Sequence, residues 1–343
     1  MNQPSGIASI DGHDVGKEAV ISEIVRCVKE HRSFVIVSHY NPDADAYGSS
    51  GGLARALESL GKSVVLVNES GLLERYRWMP GLTALRQTFP SEIPDCVIIC
   101  DCGALDRVGD TLQAGVRAAT CVVNIDHHVS NEGFGTVNLV EVGASSTSEV
   151  VYEILSRIEG SITQEVATAL LTGIYGDTGS FRYGSTTERT FEVALALVKS
   201  GAVPHHIAHH LFSQVSLSAT MLQSAALLEM QMHQEGAVCE LIVPRSHYEK
   251  YGAIEEDTAV LCERARDISG VLISVLIRED EGLWRISMRS KDSGINLSDI
   301  AASFGGGGHR AAAAFRWRKS LDELRATLLP RLKEAVESVR TPR

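Results

Sequence analysis

The sequence predicts an α/β architecture, a doubly wound and mainly parallel sheet joined by a helical connector to a smaller α+β C-terminal domain. Three observations carry that expectation. Four short apolar runs alternate with helical patterns in the first half of the chain. After about residue 190 the alternation stops, and a helical stretch gives way to a mixed pattern with two strand candidates close together. The length of 343 residues also exceeds the roughly 250 at which single cores stop growing.

Residues 1–16 show no periodicity and read as a flexible tail. They lack a basic flank followed by an apolar stretch, so no secretory signal is expected. The runs FVIVS (34–38), SVVLV (63–67), CVIICD (96–101) and CVVNID (121–126) are short and apolar, as strands covered on both faces must be. Helical patterns cover 49–60, with Gly61 placed to cap the C-terminus, then 146–157 and 163–175. Residues 17–190 therefore form the first domain, and its ligands are expected beyond the carboxyl ends of the strands. Residues 187–232 read as helical with no strand, which makes 191–230 the connector. The second domain, 231–340, opens with a strand at 237–244 and a helix near 257–267. Strands at 271–279 and 283–290 and a helix near 296–303 follow, then a glycine run, a further apolar segment and an end helix. There is no internal repeat.

Composition narrows the function. Hydrophobic content of 44% and charged content of 22% are ordinary for a globular chain. No apolar run approaches the roughly 20 residues that span a bilayer, so no membrane partner is expected. A formal net charge of −11 offers no broad grip on a long duplex nucleic acid, although bound divalent cations can reverse the local field for a small anion. Seven cysteines, most of them inside apolar runs, read as buried thiols of a reducing cytoplasm. Cys100-x-Cys102 without a second pair is a poor zinc site.

The chemistry concentrates at the ends of regular elements. Ser38-His39-Tyr40-Asn41-Pro42-Asp43-Ala44-Asp45-Ala46-Tyr47-Gly48-Ser49 runs from the end of the first strand into a helix. It supplies an imidazole and two carboxylates whose spacing lets them diverge toward two neighbouring ions. Gly48 is expected to let backbone approach an anion at the helix N-terminus. Taken alone, the loop is also compatible with a capped turn carrying solvated acids. Asp101 closes a fully apolar strand, where a charge is costly unless paired or ligating a metal; a helix N-cap is the alternative. Asp126-His127-His128 ends the next strand, with one histidine expected to face a metal and its neighbour the substrate. Asp177, between Gly176 and Gly179 at a helix C-terminus, opposes the helix dipole and calls for a cation. Histidine and aspartate without cysteine favour manganese, magnesium or a similar ion over structural zinc.

In this order the motifs resemble the DHH phosphoesterase superfamily. The tail Phe304-Gly305-Gly306-Gly307-Gly308-His309 and the alanines after it are similar to the C-terminal domain that accompanies DHH in one subfamily, which joins oligoribonuclease activity to 3′-phosphoadenosine-5′-phosphate phosphatase activity. The resemblance covers about residues 17–335. It implies two divalent ions, manganese before magnesium or cobalt. His39, Asp43 and Asp101 would hold one, and Asp45, Asp101, His127 and Asp177 the other, with Asp101 bridging. Asp126 and His128 would be the catalytic pair, Asp126 supporting from behind and His128 facing the scissile phosphate. Arg289, Ser290, Gly306, Gly307, Gly308 and His309 would contact the substrate phosphate or sugar. The family usually has Thr or Ser at the position of Gly176 and often ends its last motif in Ala-Ala-Gly, where this chain has Ala312-Ala313-Ala314; both departures touch substrate fit.

The resulting expectation is a metal-dependent hydrolase of short single-stranded oligonucleotides, linear dinucleotides or 3′-phosphoadenosine-5′-phosphate, with a homodimer as a family-level expectation and the site between the domains. A cyclic-dinucleotide phosphodiesterase would use the same metals. Pyrophosphate hydrolysis needs a denser basic pocket, and a non-catalytic nucleotide sensor would be expected to lose a ligand. Two segments compete for attention. His205, His206, His209 and His210 stand at i,i+4 spacing but lack a nearby third ligand, so they read as solvated helix residues. Arg75-Tyr76-Arg77-Trp78 reads as a packed Trp with snorkelling arginines.

Overall fold

The computed structural model describes residues 15–280 and 282–340. The chain divides between Gln214 and Val215 into two compact units. In the first, α1 (Val15–Glu30) leads into β1 (Ser33–Ser38), α2 (Ala44–Ser59), β2 (Ser63–Val67) and β3 (Cys96–Cys100). Then come α3 (Gln113–Ala118), β4 (Val122–Asp126), β5 (Val137–Val140), α4 (Thr147–Leu155), α5 (Gln164–Asp177), α6 (Glu188–Lys199) and α7 (Pro204–Phe212). The strands are all parallel in the order β2-β1-β3-β4-β5. Residues 1–14 of the expected tail lie outside the described residues, and Val15 and Gly16 already belong to α1.

The apolar runs are strands because both of their faces are covered. Phe34, Ile36, Ile98, Val123 and Ile125 point into a core that also contains residues of α1, α2, α4 and α5. Val35, Val37, Val97, Ile99 and Val122 point into a second core with Val116 of α3. The fifth strand escaped the sequence pattern because it is a four-residue edge strand, mostly half-buried. The order reverses between β1 and β3, so the chain leaves the sheet in opposite directions there and opens a crevice at the carboxyl edge.

The second unit begins with α8 (Leu217–Leu228), β6 (Gln231–His233), β7 (Val238–Val243), α9 (Arg245–Tyr251), α10 (Leu261–Asp267), β8 (Ile273–Asp280) and β9 (Leu283–Ser290). It ends with α11 (Leu297–Ala302), β10 (Gly307–His309), β11 (Ala312–Trp317) and α12 (Leu321–Arg340). Its sheet runs β10-β11-β9-β8-β7-β6, with β7 and β8 parallel and the other pairs antiparallel. The expectation of no strand up to 232 is corrected by β6. This exposed edge strand shows no apolar alternation and is held by pairing with β7. The glycine run is a strand too, and its glycines have a packing reason. A Cβ at Gly306 would sit 2.2 Å from the Ala314 carbonyl oxygen, and Gly308 has φ +142. Among the described residues no single helix is long and apolar enough to cross a membrane.

Within the first unit, α2 and α5 pack closely through small residues. A Cβ at Gly48 would lie 2.7 Å from both the Ala169 oxygen and the Gly173 nitrogen, and one at Gly176 would lie 2.5 Å from the Ala44 Cβ. Gly48 therefore serves the helix crossing rather than an anion at the helix start. The close approach brings the N-terminus of α2, with Asp45, to the C-terminus of α5, with Asp177. Alanine in a helix interior normally stabilises relative to glycine by roughly 0.5–1 kcal/mol. Gly16→Ala, whose new methyl meets nothing within 4 Å, should follow that rule in urea unfolding. Gly48→Ala should reverse it and destabilise by about 1–3 kcal/mol through overpacking; equal stability of the two variants would contradict the crossing geometry.

Candidate metal centre

Four chain segments meet at the crevice. His39 follows β1, Asp43 and Asp45 open α2, Asp101 follows β3, Asp126 ends β4, and Asp177 ends α5. Three overlapping donor groups result, each with ligand atoms within 4.8 Å of one another. They are His39, Asp43 and Asp101, then Asp45, His127 and Asp177, and also Asp101, His127 and His128. Asp101 joins them, since its Oδ2 lies 3.5 Å from His39 Nε2 and its Oδ1 lies 3.7 Å from His127 Nε2.

Each donor is aimed by backbone. Asp43 caps α2 by accepting from the Asp45 and Ala46 N–H groups at 3.0 Å, so it must face outward from the helix start. Asp45 lies in the first turn and is fully buried. The Thr147 and Ser148 N–H groups at the start of α4 donate to its two oxygens at 2.6 and 2.9 Å. The two acids therefore diverge into different donor groups. Asp101 adopts φ +59, a left-handed conformation that aspartate tolerates better than most residues. This turn places the buried carboxylate against the histidines, and the Thr147 hydroxyl donates to Oδ1 at 3.0 Å.

The histidines are prepared as donors. His39 Nδ1–H donates to the Tyr40 carbonyl at 2.8 Å, and His127 Nδ1 lies 3.3 Å from the Ala144 carbonyl, leaving Nε2 of each ring for a cation. His127 Nε2 is buried without a hydrogen-bond partner, because its 3.1 Å approach to Asp177 Oδ2 lacks hydrogen-bond geometry. A buried ring nitrogen without a hydrogen-bond partner, surrounded by carboxylates, fits a bound cation. Asp126, fully buried, accepts from His128 Nδ1 at 2.7 Å, from the His127 N–H at 2.8 Å and from Asn131 Nδ2 at 2.7 Å. The chain is no longer extended after Asp126, so the rings meet edge-to-face at 4.5 Å, and His128 Nδ1 also lies 3.6 Å from Asp101 Oδ1.

Charge crowding shows in the protonation. Burial alone would lower His39 and His127, but the Asp101 contact and neighbouring carboxylates raise His39 to about 9. The Asp177 contact, with the charges of Asp45 and Asp101, raises His127 to about 10. Burial, then the charges of Asp101 and Asp177, pushes Asp45 well above the carboxylate range. Burial also raises Asp177, against its contact with His127, to about 6. Burial opposes the ionisation of Asp101, yet three imidazoles hold it below the ordinary range. Protons stand where divalent cations would reduce the same repulsion.

Several supporting residues carried weaker sequence signals. Asn68, closing the second apolar run, donates to the Ser38 hydroxyl at 3.0 Å and the His39 carbonyl at 2.8 Å. Asn124, a polar residue inside the CVVNID run, binds the Cys102 carbonyl and Asn131. Thr147 and Ser148 had no motif at all. The competing segments are structural. His210 stacks on Trp78 at 4.3 Å, and Tyr76 is buried beside Tyr47.

In the second unit, Arg289 is half-buried, with Nε 3.4 Å from Glu263 Oε1. Ser290 is buried and its hydroxyl donates to the Asp292 carbonyl at 3.0 Å, so the expected substrate contact is corrected to a turn contact. Register places Arg289, Ala312 and His309 in one row across β9, β11 and β10; the His309 side chain lies outside what is described. A Cβ at Gly307, which pairs with Ala314, would meet nothing within 4 Å.

The model of the DHH family, N-terminal domain, matches residues 33–174, and that of the DHHA1 domain matches residues 237–338. The chain is 30% identical over 297 residues to the bifunctional oligoribonuclease and PAP phosphatase NrnA of Thermus thermophilus, covering 87% of each chain. It is 27% identical to the protein of the same name from Bacillus subtilis, over 91% of this chain and 99% of that one. Among solved structures, an exopolyphosphatase-related protein from Bacteroides fragilis superposes with a TM-score of 0.86 at 26% identity, covering 93% of this chain and 96% of the other.

Cation uptake must expel the protons described above. Manganese binding at pH 7 should therefore release protons, measured by calorimetry in buffers of different ionisation enthalpy, and affinity should rise with pH from about 6 to about 9. The metal-free chain should show the opposite trend. The stabilisation from His39 is fully present below its ordinary value of 6.5 and is lost as pH rises through about 9. Proton-neutral, pH-independent manganese binding would contradict this account.

Proposed function

The chain belongs to the DHH family of phosphoesterases and carries a DHHA1 domain, and from that premise we propose that it hydrolyses short oligonucleotides and linear dinucleotides to mononucleotides and 3′-phosphoadenosine-5′-phosphate to AMP. One observation carries the proposal: overlapping histidine–carboxylate donor groups meet around Asp101 beside the strand-order switch, and His127 Nε2 is buried there without a hydrogen-bond partner. The names of the relatives from Thermus thermophilus and Bacillus subtilis support the substrate class.

His39, Asp43 and Asp101 would hold one divalent ion, and Asp45, Asp101, His127 and Asp177 the second. Manganese suits this oxygen-rich, imidazole-containing set, with magnesium or cobalt as alternatives. When bound, such a pair neutralises phosphate charge and acidifies water near neutral pH. Asp126 fixes the tautomer of His128 through Nδ1, and Asn131 fixes Asp126 in turn. Burial lowers His128, and its contact with Asp126 raises it above the ordinary imidazole value; the ring would face a phosphate oxygen. In the DHHA1 domain, Arg289 would exchange Glu263 for a phosphate, whose geometry suits a guanidinium. Gly306, Gly307, Gly308 and His309 would complete the grip. The net charge of −11 supports short single-stranded substrates over long duplexes. A cytoplasmic homodimer belongs to the same reading, with Phe191, Leu195 and Val198 exposed on α6 as candidate contact residues.

The test is a manganese-supplied panel of an RNA dinucleotide, longer oligomers, 3′-phosphoadenosine-5′-phosphate and a cyclic dinucleotide. Turnover of the dinucleotide and the bisphosphate should exceed that of the cyclic compound. A folded, metal-loaded chain that turns over none of them would overturn the proposal. Asp101→Ala should reduce turnover beyond the roughly 100-fold that loss of a supporting contact costs, while circular dichroism stays native. Arg289→Ala should raise KM with a smaller change in kcat, since it removes binding shared by ground and transition states; an unchanged KM would remove Arg289 from the site.

A further inference from the structure

A second donor cluster lies at the opposite end of the parallel sheet. Cys96 is the first residue of β3, and Cys121 immediately precedes β4. The Val97 N–H donates to the Cys121 carbonyl at 2.9 Å, which locks the two strand starts side by side. Their sulfurs lie 3.0 Å apart. The last turn of α1 crosses the same spot and contributes Cys27, with His31 four residues further on. Ligand atoms of Cys27, His31 and Cys121 all lie within 4.8 Å of one another. Three thiols and an imidazole, drawn from three elements, therefore converge.

From this convergence we propose that Cys27, His31, Cys96 and Cys121 form a metal site separate from the catalytic one, taking a single thiophilic divalent cation of the zinc type. Sulfur and nitrogen in a three-to-one ratio form a structural zinc donor set, and the carboxylates that suit harder ions are missing from it. The His31 Nδ1–H donates to the Cys27 carbonyl at 2.9 Å, which leaves the ring's lone pair on Nε2. Zinc–sulfur bonds of about 2.3 Å put ligand sulfurs in a tetrahedral shell about 3.8 Å apart. The Cys96 and Cys121 sulfurs, 3.0 Å apart, need to separate by about 1 Å or less to reach it. Cys27 and Cys96 are buried, whereas Cys121 and His31 are half-buried and give an ion a way in.

All seven cysteines are free, so no disulfide competes for these sulfurs. Burial, then the neighbouring Cys121, pushes the Cys27 thiol up to about 11, a value that a coordinated cation would bring down by taking the thiolate directly. Binding releases the thiol protons and breaks no other bond. The site would pin α1 to the starts of β3 and β4, the strands whose far ends carry Asp101 and Asp126. Five residues of strand separate the two ends, roughly 17 Å, so neither centre shares a ligand with the other. The cluster has no sequence signature because its members lie at 27, 31, 96 and 121, and only the fold collects them.

The test is titration of the reduced, full-length chain with cobalt(II) alone. A near-ultraviolet thiolate-to-cobalt charge-transfer band should appear, saturate as cobalt is added and vanish when zinc follows. The catalytic donor groups contain no cysteine and add nothing to this band. Cys121→Ser should abolish it and His31→Gln should weaken it, while manganese-supported phosphoester hydrolysis stays at the wild-type rate in both. Absence of the band from folded, reduced wild-type chain would overturn the proposal. So would a full band in Cys121→Ser, or a Cys96–Cys121 disulfide in chain isolated in air that takes up no cobalt after reduction. The half-buried His31 supplies a variant that folds if the cysteine variant does not.

Discussion

The structure turns on one buried carboxylate. Asp101 sits on a left-handed backbone at the end of a fully apolar strand, nearly excluded from water, with His39, His127 and His128 within 3.7 Å of its oxygens. An isolated charge there would be untenable. It persists because the imidazoles and the Thr147 hydroxyl answer it, and divalent cations held here would answer it further. The remaining acids gather around this same point from α2 and α5, so their mutual repulsion is balanced by the same positive charges.

The fold achieves this gathering through close approach of two helices. Without a side chain at Gly48, α2 and α5 come near enough for Asp45 and Asp177, from opposite helix ends, to share one donor group with His127. Asp45 sits at a helix N-terminus and also accepts from the N-terminus of α4, both favourable for an anion. Asp177 sits at a C-terminus, where the dipole favours a cation. Helix polarity thus divides the labour: one end holds the acid in place and the other attracts the ion.

Much of this was legible in the sequence because the ligands interrupt strong patterns. A charge closing CVIIC, a charge and two imidazoles closing CVVNI, and two acids between a strand and a helix are each visible against apolar periodicity. Parallel strands then guarantee that their ends share one edge. The parts that stayed hidden depend on tertiary distance. Gly48 looked like an anion-binding glycine, since nothing local reveals that α5 passes over it. Ser290 looked like a substrate contact until its hydroxyl was found in a turn. The edge strands β5 and β6 are too short and too exposed to carry a period. Ser148 holds Asp45 through its backbone N–H, which every residue has, and Thr147 adds a hydroxyl to Asp101 across 46 positions of sequence, a distance no local pattern reveals.

The account's central claim is that the two donor groups around Asp101 hold two cations at once. Anomalous diffraction at the manganese edge, from crystals of the full chain grown with manganese, tests it most directly. It should reveal a pair of peaks about 3.5–4 Å apart, one among His39, Asp43 and Asp101 and the other among Asp45, His127 and Asp177. A well-ordered crystal showing these side chains without manganese, or with a single ion bound away from Asp101, would contradict it.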